Sequence, residues 1–364
     1  MSPPPAAGEG PGAFRRFVLP ALFVVGLFFA LYLRRPDNEP PAARTVTAFR
    51  GATMGTTYTV KIAGPALSPA DENALGAAID AELEAVNDQM STWRKTSELS
   101  RLNQSESTDP QPASEALRLV IAEALRINKL SGGAFDITVG PLVNAWGFGP
   151  GGEHTPPDEA TLSGLRARVG PDKLSFDDAT GTVRKARADV YVDLSAIAKG
   201  HGVDRVAAVL EHRGHGDFLV EIGGEVRVAG KNGDGQTWRV GIEKPDENAR
   251  DIQEIIALDG GALATSGDYR NFYEKDGVRL SHTIDPRTGR PIAHRLASVS
   301  VIAPTCMTAD GLATALNVLG PDEGLALAEQ QGLAALFIVR ETDGRFTERA
   351  TAPFAALRAA AASN

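Results

Sequence analysis

Phe218-Leu219-Val220-Glu221-Ile222-Gly223-Gly224-Glu225-Val226-Arg227-Val228-Ala229 decides the fold class. It reads as two short strands, Phe218–Ile222 and Val226–Ala229, in hairpin-like succession. Further strand-like runs follow at Trp238–Ile242, Ile255–Leu258, Val278–Ile284, Val299–Ala303 and Leu336–Val339. Helices at about 308–319 and 322–331 interrupt the last pair. Toward the N-terminus, Thr57–Ala63 alternates as a strand, and Ser68-Pro69 then supplies an N-cap and a proline at the first helical position. Leu75, Ile79, Leu83, Val86 and Met90 recur behind it at helical spacing. Ser114 opens a second helix that stops at Gly132-Gly133, Asp158–Val169 is a third, and a fourth follows Asp193-Leu194-Ser195. Short β-like runs around the Asp178–Gly181 turn fill 173–194. Strands in succession with helices between them predict an α+β fold, not a doubly wound parallel sheet.

The chain has 364 residues, with 37 Lys+Arg against 46 Asp+Glu and a net charge of −9. That balance argues against nucleic acid as a partner, since gripping phosphates takes a basic face. Its one cysteine, Cys306, excludes intrachain disulfides, cysteine-rich zinc sites and iron–sulfur clusters. Residues 1–16 are expected to be disordered. Phe17–Leu33 carries no charge and is bounded by Arg15-Arg16 and Arg34-Arg35. Such a run makes roughly 25 Å of helix, which snorkelling arginines extend to a bilayer span. It is expected to be an uncleaved anchor or signal segment in the bacterial inner membrane. Residues 34–45 then form a linker, 46–355 the folded domain on the periplasmic side, and 356–364 a flexible tail.

Several motifs carry candidate chemistry. Gly224–Asn232 resembles a phosphate-binding loop, but it has one residue too many between the glycines and Asn232 where a hydroxyl belongs, so it reads as strand and turn. His212 and His215 lie one turn apart without a carboxylate or cysteine to complete a metal set, which favours solvated histidines. Thr308 is read as a helix cap that puts Asp310 in the first turn and Thr314 on the same face. A carboxylate and a hydroxyl suit Mg²⁺; an aspartate complementing the helix dipole is the equal alternative. Asp193–Gly200 is read as a strand-to-helix junction aiming amides and Lys199 at an anion, or else as a simple cap with a surface lysine. His282, at a strand end before Asp285-Pro286, is either a proton acceptor or a structural histidine.

Taken in order, further blocks join these. They are Met54-Gly55-Thr56, Ser91-Thr92-Trp93, Ser97–Asn103, Gly132–Val143, Trp146–Gly149, Gly223-Gly224-Glu225, Thr265–Tyr269 and Ser281–Pro291. With Asp193–Gly200 and Thr308–Thr314 they resemble the ApbE family of FAD:protein FMN transferases over about 49–345. The resemblance implies T-fold-like elements, mostly antiparallel sheets, and FAD in a cleft between subdomains. It implies that Met54, Trp93, Ala134, Phe135, Asp136, Asp193, Lys199 and Ile284 contact the flavin nucleotide. It likewise implies that the Ala196 carbonyl, Asp310 and Thr314 ligate Mg²⁺. Some members have a further carboxylate where Ala313 stands, and some an acid in place of Lys199. The implied activity moves FMN from FAD to a threonine hydroxyl with release of AMP, and His282 is the expected base. Implied acceptors are threonine-bearing subunits of membrane redox complexes or other extracytoplasmic flavoproteins. The same resemblance permits hydrolysis of FAD to FMN and AMP, and a carrier without catalysis is the rival of another class.

Overall fold

The Phe218–Ala229 hairpin lies in the middle of an eight-stranded sheet. The computed structural model describes residues 2–3, 44–149, 155–246, 251–269, 271–275 and 277–362. The sheet comprises β1 (Thr45–Thr53), β2 (Thr56–Gly64), β3 (Phe218–Ile222), β4 (Glu225–Ala229), β5 (Gly261–Gly267), β6 (Leu296–Ala303), β7 (Ala334–Arg340) and β8 (Phe346–Ala350), neighbours in that order. Every pairing is antiparallel, as expected for the α+β class. Between β2 and β3 the chain inserts α1 (Pro69–Met90), α2 (Glu98–Gln104), α3 (Glu115–Leu130), α4 (Gly140–Ala145), α5 (Glu159–Arg166) and α6 (Ala198–His212). α7 (Cys306–Gln330) joins β6 to β7, and α8 (Ala352–Ala362) follows β8.

Both faces of the sheet are covered, and alternation along β7 shows how. Ala335, Phe337 and Val339 pack with Leu312 and Leu316 of α7 and Ile127 of α3, whereas Leu336 and Ile338 face Trp238, Ile256 and Phe354. A third cluster joins β2 and β3 to α1 and α6 through Val60, Phe218, Ile79 and Val206. α1 begins as expected, with the Ser68 hydroxyl accepting from the Asp71 amide, and buries Leu75, Ile79, Leu83, Val86 and Met90. α7 bends at Gly320-Pro321, where Gly320 has φ +81°, which is why its pattern reads as two helices.

Several expectations need correction. Thr305, not Thr308, caps α7: its hydroxyl accepts from the Thr308 amide, and Asp310 falls in the second turn. No strand precedes α6, because the 190–197 segment is irregular. The run expected as one strand over Val278–Ile284 breaks after Ser281; Val278–Ser281 pairs with Phe272–Lys275, and Ile284–Asp285 with Arg290–Pro291. Arg44 already contacts Asp217 at 2.7 Å and Thr45 opens β1, so the last two residues of the expected linker are structured. The expected tail over 356–364 is helical as far as Ala362, docked through fully buried Phe354 and by Arg358 against Glu348, 2.9 Å away. Among the described residues no helix is long and apolar enough to cross a membrane. The expected disordered stretch (save Ser2 and Pro3), the Phe17–Leu33 span and most of the linker lie outside the described residues.

Candidate active site

A cleft of about 480 Å³ opens where the first turn of α6 and the Asp310–Val318 stretch of α7 meet β4, β5 and the loops around 134–149 and 267–286. Its size is that of a small-molecule site. Trp93, Ala134, Phe135, Asp136, Asp193, Ala196, Lys199, His282, Ile284, Asp310 and Thr314 all line it, although they come from stretches far apart in the chain. Met54 does not line it. It sits at φ +49° in the β1–β2 turn and packs against α6, where a Cβ on Gly202 would lie 2.7 Å from its methyl group.

One end of the cleft is built from charge. Gly200 lets α6 cross α7 closely: a Cβ there would stand 2.3 Å from the Cys306 carbonyl oxygen and 2.8 Å from Asp310 Cβ. The Gly200 amide therefore donates to Asp310 Oδ2 at 3.0 Å. In a regular helix that amide would have closed on the Ala196 carbonyl four residues back. The first regular bond of α6 instead runs from His201 to Ile197, and the Ala196 carbonyl takes none of these amides. Of the amides in the Asp193–Gly200 junction, that of Gly200 serves Asp310 and that of Ser195 serves Asp193 Oδ1 at 2.9 Å.

Lys199 reaches Glu225 Oε1 at 2.8 Å and Asp310 Oδ1 at 3.8 Å. Burial works against its charge, but Asp310 and Glu225 outweigh that and hold the ammonium protonated above the usual lysine range. Burial pushes the Glu225 carboxyl above the usual carboxylate range, against the pull of Lys199. Asp310 is buried, and Thr314 follows one turn later, half-buried. Among the described residues no group of three or more His, Cys, Asp or Glu stands ready for a metal, so His212 and His215 gain no partners. Any cation here would use mixed oxygens: a carbonyl, a carboxylate and a hydroxyl. That set fits Mg²⁺, which takes few protein oxygens and fills its octahedron with water and phosphate.

The other end holds a histidine. His282 Nδ1 lies 2.9 Å from the Asn271 carbonyl, which also accepts the His282 amide at 3.1 Å. A carbonyl only accepts, so Nδ1 carries the hydrogen and Nε2 keeps its lone pair. Burial lowers the pKa of the ring, with the Asn271 bond and the Asp268 charge opposing, so the neutral form prevails at pH 7. Phe148 meets the imidazole edge-on at 6.3 Å. Between the two ends lie apolar walls. Ile284 is buried with Leu142 and Trp146, Phe135 is 2% exposed, and Trp93 stands 71% exposed at the rim. Asp136 is occupied locally, accepting from the Thr138 amide and hydroxyl at 2.8 and 2.6 Å and from Asn128 at 3.2 Å. Burial nevertheless raises its pKa.

A sequence profile of the ApbE family matches residues 54–337. The chain belongs to the ApbE family. Among curated relatives, the FAD:protein FMN transferase of Vibrio cholerae is 51% identical over 308 residues, covering 84% of this chain and 90% of that protein. That of Haemophilus influenzae is 46% identical over 336 residues, 90% of this chain and 95% of the relative. Among solved structures, the flavin transferase ApbE from Vibrio cholerae superposes with a TM-score of 0.79 at 48% identity, covering 86% of this chain and 99% of that one. The Pseudomonas stutzeri flavinyl transferase ApbE in its apo form gives 0.79 at 43%, covering 86% and 97%.

Within this ApbE fold, sequence reasoning overlooked Glu225 as a functional group. It appeared only as the end of Gly223-Gly224-Glu225, although its place next to Val226 at the start of β4 marks a carboxylate entering the interior. Asn271, which orients His282 through its backbone, has no side-chain signal to find.

Proposed function

We propose that this ApbE protein transfers the FMN half of FAD to a threonine hydroxyl of an acceptor protein and releases AMP. The observation that carries this reading is the pairing within one cleft of a charged oxygen cluster with a neutral histidine whose Nε2 is free to accept. Support also comes from relatives named for this reaction that match most of the chain.

The hydroxyl oxygen forms a bond to the FMN-side phosphorus, while the phosphorus bond to the bridging oxygen breaks. The electron pair leaves on AMP, and the hydroxyl proton passes to His282 Nε2. Nδ1–H stays on the Asn271 carbonyl throughout, and it holds the ring steady as the imidazole becomes charged. Glu225 holds the Lys199 ammonium at 2.8 Å, beside the charged end of the cleft. Apolar walls at Phe135 and Ile284 exclude water from the isoalloxazine side. Ala196, Asp310 and Thr314 would hold Mg²⁺, which when bound supplies neutralisation of the diphosphate charge.

Acceptors of this reading are threonine-bearing subunits of membrane redox complexes or other extracytoplasmic flavoproteins. The uncharged Phe17–Leu33 run supports an anchor in the bacterial inner membrane with the catalytic domain on the periplasmic side. A denaturing gel read by flavin fluorescence tests the reaction. The purified chain with FAD, Mg²⁺ and acceptor should give a fluorescent acceptor band that chelation or Asp310→Ala removes. An Asp310→Ala chain that labels as well as wild type would overturn the role of the charged end.

A further inference from the structure

Glu225 is a poor residue for stability alone. It is 3% exposed, its Oε2 is buried without a hydrogen-bond partner, and its Oε1 depends on Lys199. A buried carboxylate half satisfied in this way is costly. Its position is nonetheless fixed. Glu225 pairs with Ile222 in the β3–β4 ladder, and Gly223 and Gly224 turn the chain immediately before it at φ +62° and +107°. Lys199 is the adjustable partner, on four methylenes at the start of α6. Asp310 completes the arrangement. Its Oδ2 is engaged by the Gly200 amide, so Oδ1 is the oxygen left to face the cleft, and Lys199 stands 3.8 Å from it. That is too long for a hydrogen bond but close enough to collapse into one.

We propose that Glu225 is a positioning residue: it draws the Lys199 ammonium onto the strand, so that Asp310 Oδ1 is kept free for a divalent cation. The inference rests on the reading of the site as a Mg²⁺-assisted flavin transferase and adds the device that stops the site's own lysine from occupying the cation's place. Without the Glu225 charge, Lys199 closes on Asp310 and competes with the metal. Without both side chains' charges, the competition disappears.

The test is calorimetric titration of Mg²⁺ into the full chain saturated with FAD, with no acceptor present, so that it reads binding and not turnover. Glu225→Gln should weaken Mg²⁺ binding about tenfold, the scale of one charged contact replacing another. Glu225→Gln combined with Lys199→Met should bring the affinity back to within about twofold of wild type; a merely structural role for Glu225 gives no such rescue. If Glu225→Gln does not fold, Glu225→Met with Lys199→Met replaces the pair by apolar groups, a change that buried ion pairs commonly tolerate. This pair should retain Mg²⁺ binding, and its loss would count against the inference. Equal Mg²⁺ affinity in wild type and Glu225→Gln overturns the positioning role alone. A wild-type chain that binds FAD but no Mg²⁺ overturns the reading of the metal site, and this inference with it.

Discussion

The two ends of the cleft are built by different means. The charged end stands on two helices pressed together at Gly200, with Lys199, Glu225 and Asp310 all buried or half-buried and tied to one another. The histidine end stands where a strand breaks, held by the backbone of Asn271 beside the small hairpin Phe272–Lys275 and Val278–Ser281. The first depends on close packing and on charges balancing in a low-dielectric place. The second depends on one carbonyl choosing a tautomer. The proposed phosphoryl transfer uses both, and the fold makes them separately breakable.

The largest separation should come from His282→Ala. It should slow transfer about 10²–10⁴-fold, the worth of a general base, and leave FAD and Mg²⁺ affinity near wild type. A variant that loses binding instead would move His282 out of the proton role. Acid should act on the other end. His201, 2% exposed on α6, is lowered to about 4 by burial, with the Arg205 charge adding to it. A pKa lowered in the folded chain favours the native state above pH 6.5, and this contribution is lost as pH falls toward 4. The loss amounts to roughly 3 kcal/mol. Denaturant titrations from pH 7 to 4 should show that slope, and it should flatten in His201→Gln.

Gly200→Ala should cost about 1–3 kcal/mol, because backbone and not a pliant side chain lies within 2.3 Å of the new methyl group. Melting curves check the stability, and Mg²⁺ affinity should fall along with it. Trp93→Ala sharpens the contrast from the smallest side. Being 71% exposed, Trp93 should change stability by less than about 0.5 kcal/mol, while FAD quenching titrations show weakened nucleotide binding.

Much of this was legible in the sequence because the signals are local. Five apolar residues at helical spacing behind Ser68-Pro69 specified α1, and two strand-like runs on either side of Gly223-Gly224 specified the central hairpin. Asp310 and Thr314 were legible as a pair because a helix fixes what lies four residues away. The pairing of Lys199 with Glu225 was not, since no spacing rule links a helix start to a strand start in another part of the chain. β1 escaped notice because Thr45–Thr53 mixes threonine, glycine and arginine and is mostly exposed, so its pattern is weak. The break at His282 was hidden for a related reason: Val278–Ile284 looks continuous, and only the partners of its two halves differ. The helical end of the chain was misread because alanine repeats carry no periodic stripe, and Phe354 and Arg358 supply its docking.

The most direct measurement is mass spectrometry of an acceptor protein incubated with the chain, FAD and Mg²⁺, with AMP quantified in the same samples. One FMN esterified to a threonine hydroxyl for each AMP released is the expected result. Free FMN accumulating beside an unmodified acceptor, or FAD left whole, would contradict it.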